Sequence, residues 1–202
     1  MPEKIMEKKS TKEKIVLAAL DLFAEKGYDG VGVDQIAETV GIKGPSLYHH
    51  FKSKEDILNA IIDTHEVHYN LNCCAVENVR KFPKSAEELI NISLERVEFT
   101  IHDPQIKKCR MFFTKEQFRN KKIRELTTKH FLTGLEELYK VIFEHMIADG
   151  TIVEDDPKML AFEFVAPITM LIHQIDREPE KEEAIMDKMK AFMKHFIRNY
   201  GK

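Results

Sequence analysis

The sequence contains no tryptophan and only three cysteines among its 202 residues. None of the cysteines has CxxC spacing, because Cys73 and Cys74 are adjacent and Cys109 stands alone. This argues against both a disulfide framework and a zinc finger. No uninterrupted apolar run approaches the roughly 18 residues of a membrane span, and the charged segment before Lys14 lacks the apolar core of a signal peptide. We therefore expect a cytoplasmic protein with reduced thiols and no membrane contact.

A large excess of one charge sign is also missing. The chain has 31 Lys and Arg against 34 Asp and Glu, for a formal net charge of −3. The overall basic character of many nucleic-acid-binding proteins is therefore absent. Basic residues instead cluster locally, in the first fourteen positions and again between Gly41 and Lys54. Any DNA contact must come from such a local surface rather than from the charge of the whole chain.

Helical periodicity runs through the chain, whereas strand patterns and internal repeats are absent. Helix starts are marked by a serine followed three residues later by an acidic residue, or by an aspartate before a proline. These signals are Ser10–Glu13, Ser53–Asp56, Ser85–Glu88, Asp103–Pro104 and Asp156–Pro157. They predict an all-α fold with helices near 11–26, 33–40, 45–51, 54–80, 86–101, 104–119, 122–148, 157–176 and 180–199.

Two short helices with a tight turn between them are predicted near the N-terminus. Val33 and Ile36 share one face of the first helix, and the small residue Ala37 lets the two helices cross closely. Gly41 ends that helix, because glycine adopts the left-handed conformation without a Cβ penalty. Pro45 suits the first turn of the next helix. This pattern is typical of a helix-turn-helix, whose second helix can lie in the major groove of DNA.

The second of these helices lies in a basic segment. Between Gly41 and Lys54 there are three lysines, two histidines and no carboxylate, and Ser46 and Tyr48 add hydroxyl groups. Lysines, hydroxyl groups and helix N-termini contact phosphates and position a protein on a duplex. A buried helical hairpin with a solvated basic rim is the alternative interpretation. It does not explain why the glycine stop, the proline start and the local charge coincide.

The run from Ile15 to Ile57 resembles the DNA-binding domain of the tetracycline-repressor (TetR) family of bacterial transcription regulators. The resemblance is carried by Ile15, Ala18, Ala19, Leu22, Phe23, Glu25, Gly27, Tyr28, Ile36, Ala37, Gly41, Leu47, Tyr48, His50, Phe51, Lys54 and Glu55. It implies an N-terminal three-helix DNA-binding domain over residues 1–53 and a C-terminal helical ligand-binding and dimerisation domain over residues 54–202.

The resemblance also implies which residues contact DNA. The predicted DNA-binding residues are Lys43, Gly44, Pro45, Ser46, Tyr48, His49, His50, Lys52 and Lys54. Within this set, Lys43, Pro45, Ser46 and His49 would face base edges or the adjacent backbone. Phosphates would be held by Tyr48, His50 and Lys54.

Two positions depart from the family pattern. Residue 32 is glycine, where the family usually has a threonine or serine that caps the second helix. We therefore expect a cap weaker by a few tenths of a kcal/mol and one phosphate contact fewer. Gly44 stands where many relatives carry a side chain that can read a base. Direct base readout is accordingly expected to be sparse.

Apolar stripes at helical spacing occupy the last two predicted helices. They consist of Leu160, Phe164, Ile168, Leu171 and Ile175 in one helix and Ile185, Met189, Phe192 and Phe196 in the next. Such stripes usually pack against the same chain, but two adjacent amphipathic helices can also form half of a four-helix bundle with a second copy. The TetR resemblance favours the second interpretation. We therefore expect these residues to form a homodimer that binds a palindromic operator in double-stranded DNA.

The middle of the chain is rich in phenylalanine and methionine, most of which are expected to form the core. Small-molecule sites are also mostly apolar, with a few polar groups that fix orientation. A pocket for a small, mostly apolar effector is predicted at Phe99, His102, Phe112, Phe113 and His173.

A metal site is the alternative use of two histidines on the long fourth helix. His65 and His68 lie one turn apart and could bind a metal with Cys73 or Cys74. Paired histidines on a helix more often face solvent, so neither a metal nor a cofactor is expected.

Three classes of function remain. The leading one is a ligand-responsive transcriptional regulator, a repressor that a small molecule releases from an inverted-repeat operator. The second is a DNA-binding regulator controlled by a protein partner, without a small-molecule inducer. The third is an enzyme, against which stands the absence of a P-loop, a GxSxG motif and an HExxH motif.

Overall fold

The computed structural model describes residues 9–74 and 82–202, with the backbone alone at positions 73 and 74. The α-helices in these ranges are α1 (Thr11–Lys26), α2 (Val33–Val40), α3 (Gly44–Tyr48), α4 (Lys54–Tyr69), α5 (Ala86–His102), α6 (Pro104–Glu116), α7 (Lys121–Thr128), α8 (Gly134–Ala148), α9 (Pro157–Arg177) and α10 (Glu182–Tyr200). The predicted all-α fold is confirmed. The last predicted turns of the fourth helix, residues 75–80, lie outside the described residues.

Two π-helical segments interrupt the predicted pattern. Asn70–Cys74 extends α4, and Lys129–Thr133 joins α7 to α8. The prediction of a single α-helix over 122–148 is therefore wrong in its interior, because residues Lys129–Thr133 form a wider, π-helical turn. A π-helical turn shifts the hydrogen bonding by one residue and often marks a functional position.

The helix starts follow the capping signals of the sequence. The backbone N–H groups of Glu13, Asp56 and Glu88 donate to the hydroxyl groups of Ser10, Ser53 and Ser85 at 3.1–3.2 Å. Asp103 and Asp156 accept from N–H groups at the starts of α6 and α9. Gly32 supplies no side-chain cap to α2, as expected, although its own N–H donates to the Gln35 side chain at 3.1 Å. Gly41 ends α2 in the left-handed conformation at φ 76°.

Two apolar cores hold the helices together. The first joins α1–α4 around Ile15, Phe23, Ile36 and Leu47, all fully buried, and it also includes apolar residues of α6 and α7. The second joins α5 and α8–α10. We call helices α1–α3 the head and the remaining helices the body. Because α6 and α7 complete the core of the head, the head rests directly on the body.

Helix α9 is long and apolar enough, by length and composition, to cross a membrane. Half of the relevant 18-residue window is buried inside the structure, however. Core helices of water-soluble proteins meet the same criterion, and the buried residues of α9 pack against α8 and α10 in the second core. Packing within the chain therefore explains the apolar residues on the buried face of α9.

Candidate DNA-binding surface and ligand cavity

Helix α3 is anchored by two side chains and exposes the rest. Leu47 is fully buried and Phe51 is 5% exposed, and both pack in the core of the head. They lie four residues apart and therefore face the same side. The residues directed towards solvent are Lys43, Pro45, Tyr48, His49, His50 and Lys52. The helix-turn-helix thus presents the predicted lysine, hydroxyl and imidazole groups on one accessible surface.

Lys54 has a different environment from the one predicted. Its Nζ donates to the backbone carbonyl groups of Tyr28 and Val31 at 2.9 and 3.0 Å, and it lies 4.3 Å from the centre of the Tyr28 ring. These contacts join the start of α4 to the loop between α1 and α2. The prediction of Lys54 as a phosphate contact therefore needs correction, because its ammonium group is engaged inside the head.

A small cavity of about 40 Å³ lies between α5, α8 and α9. It is lined by Tyr69, Ser93, Arg96, Val97, Thr100, Phe131, Leu135, Tyr139, Val165, Ile168, Thr169 and Ile172. Apolar atoms form most of the wall, and hydroxyl groups are spread over it. The Tyr139 hydroxyl group donates to Ser93 Oγ at 2.8 Å. A mostly apolar lining with a few polar groups is typical of small-molecule sites, but their usual volume is about 300–1,000 Å³.

None of the five predicted ligand-binding residues lines this cavity. Phe112 and Phe113 are 0% and 2% exposed in the core of the head, where Phe112 stacks on Phe23 at 5.7 Å. The prediction is wrong for these two residues, because Phe112 packs against α1 and the Phe113 ring lies edge-on to the His65 ring of α4 at 5.1 Å.

The other three predicted residues do not line the cavity either. His102 is exposed and contacts Glu98 and Glu182 at 2.7 Å each, and the hydrogen bond with Glu182 raises the pKa of His102. Phe99 packs against Tyr69. His173 lies behind Phe131 with ring centres 5.2 Å apart. Burial lowers the pKa of His173.

The residues of the cavity wall were missed by the sequence analysis. Ser93, Val97 and Thr100 are spaced four and three residues apart along α5, so they share one helix face. On α9, Thr169 places a further hydroxyl residue in the cavity wall. Hydroxyl residues that interrupt an apolar face are the signal that could have identified this wall.

The proposed metal site is not assembled by the residues that the structure describes. Nε2 of His65 faces Nδ1 of His130 at 3.3 Å, whereas His68 pairs with Asp103 at 3.1 Å. The side chains of Cys73 and Cys74 lie outside the described residues. The two histidines thus have separate partners on different elements.

Comparison with known proteins agrees with the geometry of the head. Residues 15–61 match the family model described as "Bacterial regulatory proteins, tetR family". The chain is also 29% identical over 164 residues to IcaR of Staphylococcus epidermidis, a negative transcriptional regulator of the biofilm operon icaADBC, covering 65% of this chain and 88% of IcaR. Residues 15–61 are thus similar to the DNA-binding domain of the TetR family.

The match to IcaR of Staphylococcus aureus is shorter and closer. In strain Newman the identity is 56% over 46 residues, which cover 23% of this chain and 25% of that protein. The similarity to this protein is thus limited to about a quarter of each chain.

Solved TetR-family structures share the whole fold. A complex of SmeT with triclosan has a TM-score of 0.71 at 19% identity, covering 96% of this chain and 93% of SmeT. AibR in complex with isovaleryl coenzyme A and operator DNA has a TM-score of 0.64 at 19% identity, covering 90% of this chain and 96% of AibR. At this identity the likeness concerns the fold. The chain accordingly has the same fold as these proteins, with a helix-turn-helix in the head and an α-helical body.

The predicted dimer residues are largely buried within a single protomer. Leu160, Phe164, Ile168, Leu171, Ile175, Ile185, Met189 and Phe196 are at most 7% exposed, and Phe192 is partly buried in the same core. The assignment of these side chains to a dimer interface is therefore wrong, since they have almost no surface left for a partner. Met159, Phe162 and Met170 of α9 are instead 51–57% exposed.

Polar contacts connect the body to the head. Arg110, on α6, is 1% exposed and makes a two-pronged ion pair with Asp176 on α9, at 2.8 Å (Nε) and 2.7 Å (Nη2). Its Nη1 donates to the Thr100 carbonyl group on α5. At the end of α6, the buried Glu116 accepts from the Tyr28 N–H at 3.2 Å. Helix α6 is thus bonded to the body at Arg110 and to the head at Glu116.

Proposed function

We propose that this protein is a homodimeric cytoplasmic repressor that binds an inverted-repeat operator and is released by a small, mostly apolar molecule bound in its body. The exposed surface of α3 supports DNA binding through Lys43, Ser46, Tyr48, His49 and Lys52. A relative named as a negative transcriptional regulator supports repression. The complexes of SmeT with triclosan and of AibR with isovaleryl coenzyme A and operator DNA support control by a small molecule.

One structural observation carries the link between effector and DNA. Thr100 lines the cavity, and its carbonyl group accepts a hydrogen bond from Arg110. Arg110 belongs to α6, which reaches the loop between α1 and α2 through Glu116 and Tyr28. A ligand that displaces α5 or α9 would therefore move α6, and α6 would tilt the head. Continuous packed and hydrogen-bonded elements of this kind can transmit a change between two arrangements.

The volume of the cavity defines what the ligand must do. At about 40 Å³, the space holds roughly three water molecules. An effector must therefore open the cavity, and it binds only an arrangement in which α5, α8 and α9 have moved apart. An effector shifts the balance between two states through its different affinity for them, and a coupling of about 1–3 kcal/mol would weaken operator binding about 5–150-fold.

The dimer is proposed to form through the exposed face of α9. Met159, Phe162, Ala166 and Met170 are spaced three and four residues apart on the side of α9 opposite its buried stripe. Two copies of this face would form a self-complementary apolar interface about a two-fold axis. The two heads would then lie on the same side of the dimer, as binding to successive major grooves requires.

Operator binding with and without effector tests this proposal. Fluorescence anisotropy with the inverted repeat selected by the protein should show tight, salt-sensitive binding that an effector weakens. A Val97→Phe variant fills the cavity and should bind the operator while losing the response to the effector. Leu132→Phe, at a residue that is 52% exposed, is the matched control. Equal effector affinity with and without operator would contradict control by a small molecule.

The small cavity favours a second candidate function. A TetR-family regulator controlled by a protein partner needs no internal ligand site, and this cavity is far smaller than the usual effector pocket. Under this alternative, both wild type and Val97→Phe would repress transcription in cells and both would be released by the same partner. Loss of release in Val97→Phe alone would exclude it.

A further inference from the structure

The start of α3 contains an unusual arrangement of two residues. Gly44 is the first residue of the helix, and a Cβ atom built on it would lie 3.1 Å from Oδ1 of Asp34 on α2. Gly44 has no positive φ angle, unlike Gly27 and Gly41, so the backbone does not require glycine there. Because Gly44 has no side chain, the start of α3 is left open, and the Asp34 carboxylate lies at the edge of this open space.

Asp34 is exposed, and no hydrogen bond or ion pair joins its carboxylate to another residue in the described parts of the chain. Its position in the first turn of α2 favours that helix through the helix dipole. The N-terminal end of α3 also favours a nearby carboxylate, but the Asp34 carboxylate accepts no hydrogen bond from it among the described residues. Asp34 does not cap α2 either, since the N-cap is Gly32 and its N–H donates to Gln35.

The start of the recognition helix is the part of a helix-turn-helix that contacts base edges. Gly44 and Pro45 carry no polar side-chain atom, so Asp34 supplies a polar group at this end of α3. A carboxylate only accepts hydrogen bonds. In the major groove the donors are the amino groups of cytosine and adenine, and Asp and Glu pair characteristically with N4 of cytosine.

We propose that Asp34 determines base specificity by accepting a hydrogen bond from an exposed base amino group, cytosine N4 before adenine N6, through the space left by Gly44. The inference rests on the proposed function, in which α3 enters the major groove of each operator half-site. It places one readout residue on α2 rather than on α3. Phosphates and the acceptors of guanine are disfavoured at the same position, because they repel a carboxylate.

Selection from a random double-stranded oligonucleotide library, using the full chain, tests this inference. Wild type should enrich an inverted repeat with cytosine at one fixed position in each half-site. Asp34→Ala should lose discrimination at that position by about fivefold, the lower end of the range for a good bidentate side-chain–base pair, because only one hydrogen bond is lost. Asp34→Asn should move the preference towards adenine, since an amide can bond both N6 and N7 of adenine.

Two further variants separate base reading from charge. Glu38→Ala removes an exposed carboxylate one turn further along α2 and should keep the wild-type base preference. Gly44→Ala retains the charge but places a methyl group against Asp34 Oδ1 and should weaken the preference at the same base pair. Thermal unfolding followed by circular dichroism establishes that each variant is folded.

The possible outcomes are distinct. A base profile that is identical in wild type and Asp34→Ala overturns the inference, even if the variant binds all sequences more tightly. Loss of preference at one position in Asp34→Ala and Gly44→Ala, but not in Glu38→Ala, supports it. If wild type enriches no inverted repeat at all, the proposed function itself fails, and the inference fails with it.

Discussion

Acidification from pH 7 to pH 5 is expected to destabilise the protein through two buried histidines, His65 on α4 and His130 on the π-helical segment Lys129–Thr133. His65 and His130 face each other at 3.3 Å, and their rings pack against Tyr69. Burial, with a further contribution from His130, lowers the pKa of His65 from 6.5 to about 3. Burial also lowers the pKa of His130 to about 4. The other ring nitrogens, Nδ1 of His65 and Nε2 of His130, have no hydrogen-bond partner among the described residues, so no acceptor stabilises an added proton.

The sign of the effect follows from these pKa values. Both lie below the unfolded value of 6.5, so the unfolded chain binds protons that the folded chain excludes. The resulting stabilisation is fully present above pH 6.5 and is lost progressively as the pH falls towards the folded-state values. Each histidine contributes about 1.4 kcal/mol per pH unit within this window. Between pH 7 and pH 5 the free energy of unfolding should therefore fall by about 2 kcal/mol per histidine and about 4 kcal/mol for the pair.

Urea unfolding at pH 5, 6 and 7, at one protein concentration, measures this dependence. His65→Phe preserves an aromatic ring in the buried site and should reduce the pH dependence by about half, because one of the two titrating groups is removed. His195→Ala removes an exposed histidine and serves as the matched control. If wild type and His65→Phe lose stability equally between pH 7 and pH 5, the buried pair is not the cause.

Three further predictions concern a turn, an ion pair and an interface. Gly41→Ala should lower the free energy of unfolding by about 1–2 kcal/mol, because a Cβ is strained at its φ of 76°; a change below 0.5 kcal/mol in thermal or urea unfolding would contradict the strain argument. Arg110→Met should lower the free energy of unfolding by about 3–5 kcal/mol, because it leaves Asp176 unpaired. The double variant Arg110→Met/Asp176→Leu should recover part of this loss. If the double variant loses as much as the two single variants together, the pairing is refuted. Phe162→Glu and Met170→Glu should each shift sedimentation from dimer to monomer while the protomer stays folded, and an unchanged dimer would show that the interface lies elsewhere.

The helix-turn-helix could be read from the sequence because its signals are local. The left-handed turn at Gly41 and the serine and aspartate caps each involve residues within about four positions along the chain. Such contacts form whenever the helix forms, whatever packs against it. On the same short range, Leu47 and Phe51 are buried while the residues between them are exposed.

Lys54 shows where local reasoning ends. Its basic character and its place after α3 predict a phosphate contact, but its ammonium group bonds to Tyr28 and Val31, more than twenty positions away. A charge pattern predicts the charge that a side chain carries, but it does not predict which group that side chain contacts. Only the approach of the α1–α2 loop to the start of α4 decided that this lysine stabilises the head.

The pocket prediction failed for a related reason. Phe112 and Phe113 are apolar enough for a ligand site, yet both are buried in the core that α6 shares with α1–α4. Aromatic composition predicts burial but does not identify the surrounding helices. The actual wall, including Ser93, Thr100 and Thr169, is assembled from helices that are distant in sequence.

Periodicity and short-range hydrogen bonds were enough to predict most of the helices, their caps, the helix-turn-helix and the apolar face of each helix. Which helix covers each apolar face depends on the tertiary structure. The stripe through Leu160 and Phe164 has the right period for a dimer seam, but α8 and α10 of the same chain cover it, and the exposed face lies opposite, around Phe162. Periodicity defines a side of a helix, whereas the occupant of that side depends on how all the helices pack together.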